Sequence, residues 1–273
     1  MNKKVVLITG ASSGIGKASA EKFLEKGYIV YGAARNVNNM LDLEKLGAKI
    51  IKLDISKFEE IEKSVEQIIS EQGRIDILFN NAGFGLYGSI EEVSLEDAQY
   101  QFQVNLFGLA KLTQLVIPYM RKQKYGRIIN TSSMVGKVYL PLGAWYIASK
   151  HALEGWSDCL RLELKPFGIN VSLIEPGIIQ TEFGNVMTEP MLRTSGNGPY
   201  KEIVQKMAKA TEKSYSKKSG TSPKVIADLV LHASESDNPK IRYVAGELAK
   251  PLLFLRKWFG DKIYDRIILN QVK

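Results

Sequence analysis

Short apolar runs rich in β-branched residues recur along the whole chain, and helical stretches of ten or more residues separate them. The runs cover residues 5–9, 29–33, 50–53, 75–80, 126–131, 170–175 and 241–244, several of them flanked by Gly, Asp or Asn. Runs without polar alternation suit strands covered on both faces, as in a parallel sheet. Helical patterns lie between them, among them 17–26, 61–71 and 97–122. Strand and helix in regular alternation predict an α/β fold, a doubly wound sheet with right-handed crossovers and helices on both faces.

The first run ends in Thr9-Gly10-Ala11-Ser12-Ser13-Gly14-Ile15-Gly16, and a helical pattern follows. Glycines allow a tight turn and a close approach by a pyrophosphate, which the N–H groups of the following helix attract. The spacing, Gly-x3-Gly-x-Gly, departs from the Gly-x-Gly-x-x-Gly of many dinucleotide binders. The second run ends at Ala34 and Arg35, where an NAD-binding sheet would carry an acid for the ribose hydroxyls. A guanidinium there can clamp a 2′-phosphate, so NADP(H) is expected over NAD(H). Asp54, after the third run, stands where a carboxylate could reach the adenine amino group.

Tyr146 and Lys150 are four residues apart, which puts them one turn apart on one helix face. Tyrosine ordinarily titrates near pH 10, and an adjacent cation favours its ionised form, so the pair suits general acid/base chemistry. Two serines, Ser132 and Ser133, precede the pair, and Ser133 stands thirteen residues before Tyr146. Asn105 interrupts the apolar pattern of 97–122, where an amide needs a partner.

These motifs, with Asn80-Asn81-Ala82-Gly83 and Pro176-Gly177-x3-Thr181, occur in an order that resembles the short-chain dehydrogenase/reductase family over about residues 4–248. The resemblance implies a single Rossmann-like domain whose parallel sheet has about seven strands. It implies a site of Asn105, Ser133, Tyr146 and Lys150. Tyr146 would exchange a proton with the reacting oxygen and Ser133 would hydrogen-bond it. Lys150 would lower the tyrosine pKa and bind the nicotinamide ribose, and Asn105 would hold a water. To the cofactor it assigns Thr9, Gly10, Ser12, Ser13, Gly14, Ile15, Gly16, Arg35, Asp54, Ile55, Asn81, Ala82, Gly83, Tyr146, Lys150, Pro176, Gly177 and Thr181. Asn80 would support the cofactor and the central sheet. A homodimer or homotetramer is implied, through helices 97–122 and 145–166. Leu106, Phe107, Leu109, Leu112 and Leu115 would fit either that seam or the core.

Residues 182–222 break the strand–helix rhythm with several Gly and Pro and one short helical pattern around 200–214. An excursion of that length is expected to serve the substrate. Residues 1–248 are read as the catalytic domain and 249–273 as a basic, amphipathic extension. That extension could pack on the body, close over the site or lie on an anionic membrane surface; packing is the first expectation. Tyr139, Leu140, Leu142, Trp145, Phe183, Met187 and Met191 are expected to line an apolar substrate pocket. The substrate is then a lipophilic ketone or alcohol, steroid-like, retinoid-like or acyl-lipid. The rivals are a catalytically silent NADPH-binding regulator, a peripheral membrane lipid-ketone reductase, and an epimerase or dehydratase of the extended relatives.

The formal charge of +8 carries no arginine-rich patch interleaved with aromatics, so nucleic acid is not an expected partner. The two histidines lie apart from any ligand cluster, and no metal is expected. No apolar stretch reaches the roughly 20 residues needed to cross a bilayer. The apolar run after the basic start is too short for a signal peptide, so cytoplasmic residence is the expectation. The single cysteine, Cys159, rules out an internal disulfide and is expected to be a buried small hydrophobe.

Overall fold

The computed structural model describes residues 3–215 and 220–271. β1 (Val5–Thr9) is buried at every position, as expected of a strand with helices above and below it. The glycine-rich turn leads into α1 (Gly14–Glu25), which therefore starts inside the motif rather than after it. β2 (Ile29–Ala34), the short α2 (Leu41–Lys45) and β3 (Lys49–Lys52) follow. α3 (Phe58–Gln72) then returns the chain to β4 (Ile77–Asn80). All seven expected strands form, and β5 (Gly126–Thr131), β6 (Ile169–Pro176) and β7 (Arg242–Ala245) complete one parallel sheet ordered β3-β2-β1-β4-β5-β6-β7.

The order reverses between β1 and β4, and a crevice opens there beyond the carboxyl ends of the strands. One core lies on each face of the sheet. The first includes Leu7, Leu78, Ile128 and Val171; the second includes Val6, Ile8, Phe79 and Ile129. Successive residues of a strand thus serve opposite cores, which is why these strands lack polar alternation.

The expected helix over 97–122 is three pieces. α4 (Leu95–Phe102) and α5 (Leu109–Gln123) flank a π-helical turn at Gln103–Gly108. The turn contains Asn105, and π-turns inside helices commonly mark functional positions. Leu109 and Leu112 belong to the core, whereas Phe107 is exposed. α6 (Ala144–Leu164) buries Tyr146, Lys150, Leu153, Ser157, Leu160 and Leu164 along one stripe. Cys159 falls outside that stripe and is exposed, contrary to the expectation that it is buried.

The excursion 182–222 holds two helices rather than one, α7 (Phe183–Ser195) and α8 (Lys201–Tyr215); its residues 216–219 lie outside the described residues. α9 (Pro223–Glu235) covers the sheet against α1, its N-cap Ser222 accepting from Lys224 N. α10 (Ala249–Gln271) is the C-terminal extension, and Gly260, at φ 68° and ψ −177°, breaks it into two half-helices instead of one amphipathic helix. Its residues Ala249, Leu252, Tyr264 and Ile268 join Met187, Met191, Val204 and Met207 in a third core. The extension packs on the body, as first expected. No helix among the described residues is long and apolar enough to cross a membrane.

Candidate active site

The crevice is one continuous cavity of about 640 Å³. All the expected cofactor residues except Gly16 line it, as do Ser133, Tyr146 and Lys150. Gly16 and Asn105 do not reach its wall. Gly16 serves from beneath: a Cβ there would meet Gly10 O at 2.2 Å, so only glycine lets α1 start this close to the turn.

The turn is held by the sheet. Gly10 N donates to Ala33 O at 2.8 Å. Thr9 Oγ1 accepts from both Asn81 N and Ala82 N at 3.0 Å, and Asn81 Nδ2 donates back to Thr9 O at 3.1 Å. Thr9 and Asn81 therefore brace the crevice wall as well as facing it. Asn80 is buried; its Nδ2 donates to Thr113 Oγ1 at 3.0 Å and Asn130 Oδ1 at 2.9 Å. It stitches β4 to β5 and α5, away from the cavity.

A dinucleotide fits this wall. Ser13, the N-cap of α1, makes no side-chain cap, so the first-turn N–H groups are left for an anion where Ser12, Ser13, Gly14 and Ile15 line the cavity. Arg35 is exposed at the end of β2, its Nη1 donating to Tyr100 OH at 3.3 Å. Asp54 Oδ1 accepts from Ser56 N at 3.0 Å and Ser56 Oγ at 2.7 Å. Burial alone would raise the Asp54 pKa; those hydrogen bonds and the Arg35 charge outweigh it and hold the carboxyl below its usual range.

On α6 the phenol and the ammonium are both buried. Lys150 Nζ donates to Thr131 O at 2.7 Å and lies 5.9 Å from the centroid of the Tyr146 ring. Burial pushes Lys150 down to about 8, against the pull of Glu154. Burial also pushes Tyr146 well up, and a hydrogen bond from Ser133 only moderates the rise. The net shift of Tyr146 is therefore upward, opposite to the acidification expected beside Lys150. The phenol is held protonated, the form a proton donor needs.

Of the two serines, Ser133 faces Tyr146. Ser132 Oγ is buried with no hydrogen-bond partner among the described residues, at a place where a Cβ on Gly136 would meet it at 2.7 Å. Asn105 Oδ1 accepts from Phe84 N at 3.1 Å; its Nδ2 donates to Phe84 O at 3.0 Å and Ser149 Oγ at 3.1 Å. It sits behind the tyrosine–lysine pair. A Cβ on Gly83 would lie 3.0 Å from Asn105 Oδ1 and 3.8 Å from Lys150 Nζ.

Beyond Tyr146 the cavity continues between Phe183, Val186 and Met187 of α7, Met207 and Tyr215 of α8, and Leu252 and Ile268 of α10. Leu140, Phe183 and Met187 line it as expected. Tyr139, Leu142, Trp145 and Met191 do not: Tyr139 packs edge-on against Tyr264 at 4.9 Å, and Met191 is wholly buried in the third core. Four lining aromatics escaped the sequence reading, Phe84 and Tyr100 beside the cofactor end and two nearer Tyr146 and the apolar limb. Tyr87 is buried with its ring 5.8 Å from that of Tyr146, and Tyr215 is half-buried at the end of α8. Tyr87 lies four residues past the 80–83 run, the one local sign that it is near the site.

The family model for short chain dehydrogenases matches residues 4–191. The chain belongs to the short-chain dehydrogenase/reductase family, a class of oxidoreductases. It is 37% identical over 96% of its length to a 3-ketodihydrosphingosine reductase from Bacteroides thetaiotaomicron, of which 96% is covered. It is 33% identical over 99% of its length to an NADPH-dependent 3-dehydrocapnine reductase from Ornithobacterium rhinotracheale, of which 98% is covered. The crystal structure of a short-chain dehydrogenase from Streptomyces avermitilis superposes with a TM-score of 0.82 at 31% identity, over 94% of this chain and 96% of that one.

Proposed function

We propose that this oxidoreductase is an NADPH-dependent reductase of a long-chain lipid ketone. The observation that carries this reading is the apolar limb of the cavity, which runs from Tyr146 to the C-terminal extension. Glu182, exposed at its edge, is the one charged side chain among the described residues of that limb. An acyl chain fits such a wall, and a sugar or a hydroxy acid does not. Two of the relatives are named for acting on 3-ketodihydrosphingosine and 3-dehydrocapnine, and one of them is NADPH-dependent.

When bound, the nicotinamide cofactor supplies the hydride. Ser12, Ser13, Gly14 and Ile15 are the groups for its pyrophosphate, Arg35 for a 2′-phosphate, and Asp54 and Ile55 for the adenine. Pro176, Gly177 and Thr181, with Lys150 and Tyr146, surround the nicotinamide end. As negative charge develops on the substrate oxygen, Ser133 donates a hydrogen bond to it and Tyr146 donates its proton. Lys150, protonated below about pH 8, favours the phenolate that remains. Asn105 positions Ser149 and the residue-84 backbone, and so the helix that carries the pair.

Residues 1–248 are proposed to hold the chemistry and 249–273 to close the substrate end. Residence in the cytoplasm and assembly into two or four copies complete the proposal. The test is a panel of 3-keto lipids of graded chain length, assayed by oxidation of NADPH and of NADH. Rates that rise with chain length and favour NADPH support the reading. Equal rates on short polar ketones, or a preference for NADH, contradict it.

A further inference from the structure

The outer side of α10 serves neither cofactor nor substrate. Inward, Leu252 and Ile268 line the cavity, and Tyr264 OH donates to Tyr139 O at 3.0 Å. Outward, Phe254, Trp258 and Phe259 are 59%, 65% and 49% exposed. Their rings touch one another, Phe254 to Trp258 at 6.4 Å and Phe254 to Phe259 at 6.1 Å between centroids. Contiguous exposed aromatic surface of this kind marks an interaction site. Gly260 turns the chain immediately afterwards, and Ile263 and Ile267 are exposed on the second half-helix.

The charges of α10 are unbalanced: Lys250, Arg256, Lys257, Lys262 and Arg266 stand against Asp261 and Asp265. Both of its acids are exposed but have partners: Tyr139 OH donates to Asp265 Oδ1 at 2.7 Å, and Asp261 pairs with Arg256 at 2.6 Å. Lys250, Lys257, Lys262 and Arg266 have no carboxylate within ion-pair distance among the described residues. Lys257 Nζ lies 5.2 Å from the Trp258 ring, so cation and apolar surface share one patch.

We propose that α10 docks the protein on the surface of a membrane containing anionic lipid. Phe254, Trp258 and Phe259 enter the headgroup boundary, and the unpaired lysines and arginine meet the lipid phosphates. A second copy of the chain is the less suitable occupant: a two-fold contact through this patch would bring its own unpaired cations together. Because α10 also walls the cavity, docking sets the substrate end beside the bilayer. That last step rests on the lipid-ketone reading, whereas the docking itself does not.

The experiment is cosedimentation of the full chain with phosphatidylcholine vesicles, with and without phosphatidylglycerol. We compare the wild type with Phe254→Ser/Trp258→Ser and with Lys250→Glu/Lys257→Glu. Binding is expected only to the anionic vesicles and is expected to be reversed by salt. Each double variant should weaken it by about ten-fold or more, while NADPH binding and reduction of a water-soluble ketone stay unchanged. No binding by the wild type, or equal binding by the variants, overturns the docking. So does loss of a dimer in the Phe254→Ser/Trp258→Ser variant without vesicle binding in the wild type, since the patch is then a subunit interface. If lipid ketones prove not to be substrates while vesicle binding holds, the functional reading fails and the docking stands.

Discussion

Asn105 donates from Nδ2 to Ser149 Oγ at 3.1 Å, and so ties the π-helical turn to the helix turn between Tyr146 and Lys150. The same amide satisfies both backbone groups of Phe84. Replacing it with an isosteric apolar side chain leaves the Phe84 N–H unpaired, while Phe84 O keeps Gln101 Nε2 at 2.9 Å. Asn105→Leu is expected to lower unfolding free energy by roughly 1–3 kcal/mol, read from urea denaturation. Turnover should fall further than stability alone explains, because the helix turn carrying Tyr146 and Lys150 loses its brace. Unchanged stability would mean that water replaces the amide without loss.

Arg35 is exposed at the mouth of the crevice, with Tyr100 OH as its hydrogen-bond partner. A charge-assisted bond to a phosphate is worth about 1.5–3 kcal/mol, so Arg35→Ala should weaken NADPH by about 10- to 100-fold. NADH, which lacks the 2′-phosphate, should be almost unaffected. Titration of both cofactors against both proteins checks this, and equal losses would reject the phosphate clamp.

Burial holds Lys150 near 8, far below the 10.5 of an exposed lysine. Between those values the unfolded chain binds the proton that the folded protein has released. Stability attributable to this group therefore rises with pH, and below about pH 8 its burial is a constant cost. Relative to Lys150→Met, the wild type should gain about 2 kcal/mol between about pH 7 and 9.5, below the range in which the buried tyrosines add their own opposite effect. Parallel pH profiles for the two proteins would show that the lysine is better solvated than its burial indicates.

The apolar limb makes a prediction about size. Met207 lines the cavity opposite α7 and is nearly fully buried. Met207→Trp should fill the distal part and leave the nicotinamide end open. Long-chain ketones are expected to lose kcat/KM by about 10-fold or more, at roughly 1–3 kcal/mol for a blocked pocket, while short ketones keep theirs. A uniform loss for all lengths would place the substrate chain elsewhere.

The central strands were legible because β1, β4, β5 and β6 are almost wholly buried runs, whereas the edge strand β3 keeps Lys49 and Lys52 exposed. Tyr146 and Lys150 were legible because helical spacing alone puts them together. The π-turn was not, since a helix and a π-turn share nearly the same apolar pattern; the misplaced amide of Asn105 was its only sign. α7 was hidden by Gly184 and Pro190, which break the helical pattern but are tolerated where Met187 and Met191 anchor the helix in the third core. The protonation of the site was misjudged for a related reason. Spacing showed a cation near a phenol but not the burial of both, which pushes the phenol up and the ammonium down.

In the proposed reaction Tyr146 hands a proton to the oxygen of a long-chain ketone, while most of the NADPH contacts come from the rest of the crevice. Tyr146→Phe removes one oxygen atom and keeps the ring packed against Tyr87 and Phe183. The direct measurement is NADPH oxidation by this variant with a 3-keto lipid, alongside its NADPH dissociation constant. A fall in kcat of about 10²- to 10⁴-fold with cofactor affinity nearly unchanged is the expected result. Turnover within a few-fold of the wild type would contradict the account.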